Sequence, residues 1–247
     1  MLLLAVDTSG RNGSLALARA HDPAQGKKGL EWGTQSGFDI LELVPLAGRM
    51  YSAQIIPELQ NALSRQNLGR ADIDAYVVAS GPGSFTGLRV GLSTVKALSE
   101  VLHKPIAAVS VLEAAARMAG VNGHVMVALD AGRKQVFVGE YQFDGNFKVL
   151  HSLETLVSLE EFLRPTSAER GQMWGTKVFS PEQVVLQAAG AHGLSIVEIP
   201  APQADMFARI GYQKLIAGDT TSAEVLEANY IRASDAELFS LPKLMSK

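Results

Sequence analysis

Ser80-Gly81-Pro82-Gly83-Ser84-Phe85-Thr86-Gly87-Leu88-Arg89-Val90-Gly91 is the stretch on which the fold turns. Before it lies Ala75-Tyr76-Val77-Val78-Ala79, a short apolar run rich in β-branched and aromatic residues, which predicts a buried strand. After it, Val90, Leu92, Val95, Leu98 and Leu102 recur at helical spacing. The stretch therefore reads strand, glycine loop, helix. Gly81, Gly83 and Gly87 permit backbone angles that a Cβ forbids, Pro82 fixes one turn dihedral, and Ser84 or Thr86 can cap the helix. Such a loop suits an anion, because backbone N–H groups and a helix N-terminus converge there. It also serves as a tight turn with no ligand. No Lys follows Gly87, so the P-loop pattern fails, and the spacing from Gly83 to Gly87 departs from the dinucleotide-binding pattern.

Upstream, residues 2–7 read as a buried strand ending at Asp7. Asn12-Gly13 predicts a hairpin into a second strand over 14–20, and 30–36 a third strand. Residues 46–68 carry a helical pattern in Ile55, Ile56, Leu59 and Leu63, with Pro57 inside it as an expected kink or break. Downstream, a strand over 106–109 and a helix over 111–119 precede an apolar strand that ends at Asp130. A glycine turn, a strand over 135–143, the hairpin residues Asp144-Gly145-Asn146 and a return strand follow. This repeats the opening plan and predicts an internal duplication, with lobes 1–105 and 106–247. Helices are expected at 159–163, 182–189 and 204–217, a strand at 195–199, and a loosely ordered polar tail. The last helix is expected to pack back toward the first lobe.

The chain has 247 residues, 47% of them hydrophobic, a net charge of −3 and no cysteine. That length can bury a sizeable core. The absence of cysteine excludes disulfides, thiolate metal sites and a cysteine nucleophile. The apolar run 2–6 is too short for a signal segment, and no stretch approaches the roughly 20 apolar residues that span a bilayer. A cytoplasmic protein with no membrane partner is the expectation. The mildly negative charge argues against an independent nucleic-acid binder.

Asp7 and Asp130 each end the first strand of a repeat and precede a glycine turn. Two such carboxylates in a cleft could flank a phosphate and its Mg²⁺, or each could simply cap its own turn. With Gly81, Gly83 and Gly87 they outline a degenerate nucleotide cleft. The loop has neither a Lys nor a metal ligand beside it, so a structural role is favoured over a phosphate cradle. His21, His103, His124, His151 and His192 include no pair four residues apart, so no helix offers a two-His metal face. No catalytic residue and no metal ligand is assigned. The two N-terminal helices are more apolar than a solvated face needs. Beyond core packing, they could complete a four-helix bundle with another chain through Tyr51, Ile55, Leu59, Leu92, Val95 and Leu98.

Asp7-Thr8-Ser9, the glycine stretch, Asp130-Ala131-Gly132-Arg133 and Tyr230-Ile231-Arg232 together resemble the TsaB (YeaZ) family of the glycoprotease-like superfamily. The resemblance extends over nearly the whole chain and is weakest between 158 and 202. It implies an α/β, actin/Hsp70-like (ASKHA) fold of two related lobes, each on a mixed five-stranded sheet. It implies a non-catalytic subunit in threonylcarbamoyl transfer to the adenosine beside the anticodon of tRNAs reading codons that start with A. The implied partners are TsaD, which carries the catalytic metal and histidine motif, and TsaE, the ATPase. It further implies a homodimer without TsaD, ATP or ADP and a metal only in the complex, and tRNA reached only through it. Family members often carry His-Ser or His-Thr where this chain has Tyr51-Ser52, and Gly132 precedes Arg133 where the family often places Arg. No nucleophile or metal pair supports proteolysis. The rival reading is an autonomous small-molecule kinase using Asp7 and Asp130 around ATP-Mg²⁺. It would need a glycine pair for adenosine, for which Gly190 and Gly193 are poor substitutes.

Overall fold

The structure is a computed structural model and describes residues 1–21, 37–47, 50–146, 148–164 and 177–231. Strand β1 (Leu2–Asp7) turns through the Asn12-Gly13 corner into β2 (Gly13–Ala20), with Asp7 paired to Ser14. The edge strand β3 (Phe38–Leu46) follows on β2. On the other side, β4 (Ala75–Gly81) runs parallel to β1, and β5 (Ile106–Ser110) parallel to β4. The first sheet thus has the order β3-β2-β1-β4-β5. The expected third strand at 30–36 lies outside the described residues.

The second sheet repeats the pattern. Strand β6 (Gly123–Gly132) pairs antiparallel with β7 (Gln135–Phe143), which pairs with β8 (Val149–Ser158). Two three-residue parallel strands, β9 (Val178–Ser180) and β10 (Ile196–Glu198), complete the order β10-β9-β6-β7-β8. Strand β5 is hydrogen-bonded into the first sheet, so the lobes part after Ser110 rather than at Pro105. The boundary at 105/106 fails because Pro105 marks the end of a helix, not of a sheet.

Alternation along the strands sorts side chains into layers. Leu2, Leu4 and Val6 of β1 face α1 (Tyr51–Arg65) and α2 (Phe85–Leu102). Leu3 and Ala5 face the opposite way, toward α6 (Ala204–Ile216). In the second sheet, Val125 and Val127 join that same central cluster with α3 (Val111–Met118). Met126 and Ala128 point outward to α4 (Leu159–Leu163) and α5 (Gln183–Ala191). The result is helices, sheet, helices, sheet, helices. The α6 backbone is fastened to the first sheet by the Ala204 N–H, which donates to Ser14 Oγ at 2.8 Å. Arg117 of α3 is buried, donates to Glu113 at 2.8 Å and to Gln213 of α6 at 3.2 Å, and so ties the two central helices together.

Helix α1 runs unbroken through Pro57. Helix α2 starts where Ser84 Oγ accepts from the Gly87 N–H and stops at His103, whose φ of 52° is left-handed. Among the described residues no helix is long and apolar enough to cross a membrane.

Candidate functional site: a cleft between the lobes

A cleft of about 1140 Å³ opens between the lobes. Its first wall is the turn after β1, with Asp7 and Ser9, and the glycine loop with the first turn of α2. Its second wall is the end of β6, with Asp130 and Arg133, and the start of α5 with Glu182. Asn229, Tyr230 and Ile231 also line the cleft.

Asp7 is buried, and its Oδ1 accepts from both the N–H and the hydroxyl of Ser9, at 2.8 and 2.6 Å. Burial pushes its pKa up to about 6 from 3.8, against the pull of the two Ser9 hydrogen bonds. Asp130 is exposed and caps its own turn, its Oδ1 accepting from the Gly132 N–H at 2.8 Å. The Asp130 N–H donates to the carboxylate of Glu182. Burial raises the Glu182 pKa, and the Asp130 charge adds to the rise.

The glycine motif is built around the Thr8–Ser9 turn. A Cβ on Gly83 would stand 2.5 Å from the Ser9 carbonyl oxygen. A Cβ on Gly87 would overlap the Thr8 carbonyl oxygen, and one on Gly91 would overlap the Thr8 hydroxyl. The Ser84 N–H donates to the Ser9 carbonyl at 2.6 Å, and the Thr8 hydroxyl to the Gly87 carbonyl at 2.7 Å. Gly81 has a φ of 117°, with the Asn229 carbonyl against it. Of the predicted cleft residues, Asp7, Gly83 and Asp130 line the cleft, whereas Gly81 and Gly87 lie behind its wall, packed on other backbone.

Residues 44–228 match the family model described as TsaD, tRNA N6-adenosine threonylcarbamoyltransferase, which is most of the chain. The chain belongs to the TsaD family. The TsaB protein of Escherichia coli, named for tRNA threonylcarbamoyladenosine biosynthesis, is 29% identical over 94% of this chain and 95% of its own. The TsaB protein of Bacillus subtilis is 33% identical, over 58% of this chain and 56% of its own. The solved YeaZ structure from Pseudomonas aeruginosa superposes with a TM-score of 0.67 at 21% identity, over 92% of this chain and all of that one. Within the TsaD family, the chain's likeness is thus to the proteins called TsaB or YeaZ, and its fold is their two-lobed, actin-like one.

A Mg²⁺-nucleotide, which the actin-like fold brings to mind for this cleft, fits these residues poorly. One oxygen of the Asp7 carboxyl is taken by two bonds from Ser9, and burial penalises the charge that a Mg²⁺ ligand must carry. The Asp130 carboxylate holds its own turn, and the N–H groups of Ser84 and Gly87 are taken inside the chain. Among the described residues no three His, Asp or Glu side chains cluster in a metal-binding group. Gly190 and Gly193 are not among the residues that line the cleft.

The partner residues read from helical periodicity need correction. Tyr51, Ile55, Leu59, Leu92 and Val95 are all buried against the first sheet, Val95 completely. Leu98 is half-buried on the same core. A surface amphipathic helix spends its most apolar face on its own sheet, and that is the face periodicity finds. Tyr51 also donates its hydroxyl to the Gly10 carbonyl at 2.9 Å, pinning α1 to the hairpin turn. The exposed apolar residues are Ala53, Ile56 and Pro57 on α1 and Ala97 and Val101 on α2, with Ile56 38% and Val101 75% exposed.

Sequence reasoning passed over Ser9 as a cleft residue, although Asp-Thr-Ser at a strand end signals a side-chain turn. It also passed over Glu182. No local pattern marks that residue, because β9 and the start of α5 deliver it from 52 residues away.

Proposed function

We propose that this chain is a non-catalytic subunit that works with TsaD and TsaE in threonylcarbamoyl transfer to tRNA. The product is the modified adenosine beside the anticodon of tRNAs reading codons that begin with A. The observation that carries this reading is the filled glycine motif: Thr8 and Ser9 of the chain itself occupy the concave side of the loop. A loop stiffened in that way positions α2 rather than a phosphate. The catalytic metal and the nucleotide are then held elsewhere in the assembly, and tRNA meets this chain only within it.

The outward faces of α1 and α2 supply the surface for TsaD, or for a second copy of this chain when TsaD is missing. Ala97 and Val101 on α2 and Ala53 and Ile56 on α1 each recur at helical spacing on exposed positions, so two more helices could close a bundle over them. Cytoplasmic residence follows from a tRNA-modifying role.

The decisive experiment reconstitutes the modification from purified TsaD, TsaE, tRNA and the threonylcarbamoyl donor system, with and without this chain. Modification that requires the chain, together with co-purification of TsaD, is the expected result. Full modification without it, or ATP turnover by the chain alone that is lost in Asp7→Ala, would overturn the proposal.

A further inference from the structure

We propose that residues 226–231 form a clasp that sets the opening of the cleft, with Glu154 as its anchor on the second lobe. After α6 the chain doubles back along the first lobe. The Thr221 N–H donates to the Ile106 carbonyl at 2.9 Å, an antiparallel bridge onto β5. Leu226 then enters the core beneath α1 and α2 and is 2% exposed. The Asn229 N–H donates to the Ser80 carbonyl at 2.7 Å. Tyr230 lies against the Phe85 ring, centroids 5.0 Å apart, and its hydroxyl accepts from Arg89 Nε at 3.4 Å. The Arg89 guanidinium sits 4.0 Å from the centroid of that same Phe85 ring. The segment is thus fixed to the first lobe by backbone, by an apolar plug and by an aromatic stack.

One side chain leaves this seat and crosses to the other lobe. Asn229 Nδ2 donates to Glu154 Oε2 at 2.7 Å. Glu154 stands on β8, the outermost strand of the second sheet. Its other oxygen accepts from the hydroxyls of Ser110 and Tyr141. Ser110 ends β5 of the first sheet and caps α3 by accepting from the N–H groups of Leu112 and Glu113. Two of the three donors to Glu154 therefore come from the first lobe. The bonds from Asn229 and Ser110 thus tie the β8 edge of the second sheet to the first lobe. Asn229, Tyr230 and Ile231 also line the cleft, so the clasp borders the space whose width it sets. This gives the Tyr230-Ile231-Arg232 motif a mechanical role; Arg232 lies outside the described residues.

The full chain has no cysteine, so two can be introduced and spin-labelled without background. Asn12 and Val184 line opposite walls and are exposed. Pulsed dipolar spectroscopy between labels at these positions should give a narrow distance distribution in the parent. Asn229→Ala and Glu154→Ala, which break the crossing contact from either lobe, should broaden it and move it to longer distance. Gln142→Ala, which removes a hydrogen bond to the Phe143 carbonyl within the second lobe, should leave it narrow. If either Ala variant, folded by circular dichroism, keeps the parent distribution, the clasp is refuted. If one variant fails to fold, the other reads the same contact from the opposite side.

Discussion

The carbonyl oxygen of Thr8 occupies the place where a Cβ of residue 87 would stand, and the Thr8 hydroxyl donates back to the Gly87 carbonyl at 2.7 Å. Strand β1 and helix α2 are locked together at this point, 79 residues apart in the chain. The helix can approach the turn so closely only because its residues there lack side chains.

Gly87→Ala should therefore destabilise the fold by about 3 kcal/mol or more, since the atom it meets is backbone and the turn cannot yield without losing the Asp7–Ser9 bonds. Gly190→Ala is the control. It is also helical, but an added Cβ meets nothing within 4 Å. It should be neutral or stabilise by up to about 1 kcal/mol. Urea unfolding of both variants checks the pair. Equal effects would show that the contact at Thr8 is unimportant.

Asp7 predicts a pH dependence. Its folded pKa, about 6, lies above the ordinary 3.8, so the native state binds more protons than the unfolded chain between those values. Stability from this group is greatest below pH 3.8, falls as pH rises, and is lost by about pH 6. The full penalty at neutral pH is on the order of 3 kcal/mol. Asp7→Asn keeps an oxygen to accept both Ser9 bonds and removes the charge. It should flatten the profile over this range and stabilise the protein at pH 7 by roughly 1–3 kcal/mol. Denaturation midpoints at stepped pH test this, and an Asn variant weaker than the parent at pH 7 would contradict it.

The proposed partner face separates two double variants that periodicity alone cannot tell apart. Ile56→Glu with Val101→Glu places charges on exposed positions and should leave circular dichroism and melting nearly unchanged while abolishing TsaD binding. Tyr51→Glu with Val95→Glu buries two carboxylates in the first lobe, at several kcal/mol each, and should unfold it. A folded Ile56→Glu, Val101→Glu protein that still binds TsaD would move the interface elsewhere.

Much of the fold was legible because local signals were strong. The run from Ala75 to Ala79 is apolar at every residue, as a strand buried on both faces must be, and Asn12-Gly13 marks the hairpin between β1 and β2. Strand β3 was not legible. Pro45 argues against a strand, and is tolerated here because β3 is an edge. A register shift opposite Leu17 and Ala18 also breaks its alternation. Strand β9 has only three residues, too few for any period. In the site, Asp7 and Asp130 were found from their place at strand ends. The purpose of the glycines was within reach: Gly83, Gly87 and Gly91 recur every four residues, the spacing of one helix face. What no spacing reveals is the object that face meets, because Thr8 is brought there by the sheet.

Helices α3 and α6 lie between the two sheets, joined by the buried Arg117, and a single apolar cluster runs from Leu3 through Phe207 to Val127. Duplicated proteins often retain two melting units, one per copy. Here each copy depends on the same layer, and removing either sheet would strip one side of it. The two halves should consequently unfold in one cooperative step, with calorimetric and van't Hoff enthalpies in agreement. A fragment ending near Ser110 would lack α6 altogether and leave Leu3, Ala5 and Ala107 open to water. In evolutionary terms the repeat has ceased to be a module: neither half can be exchanged, lost or transferred without the other.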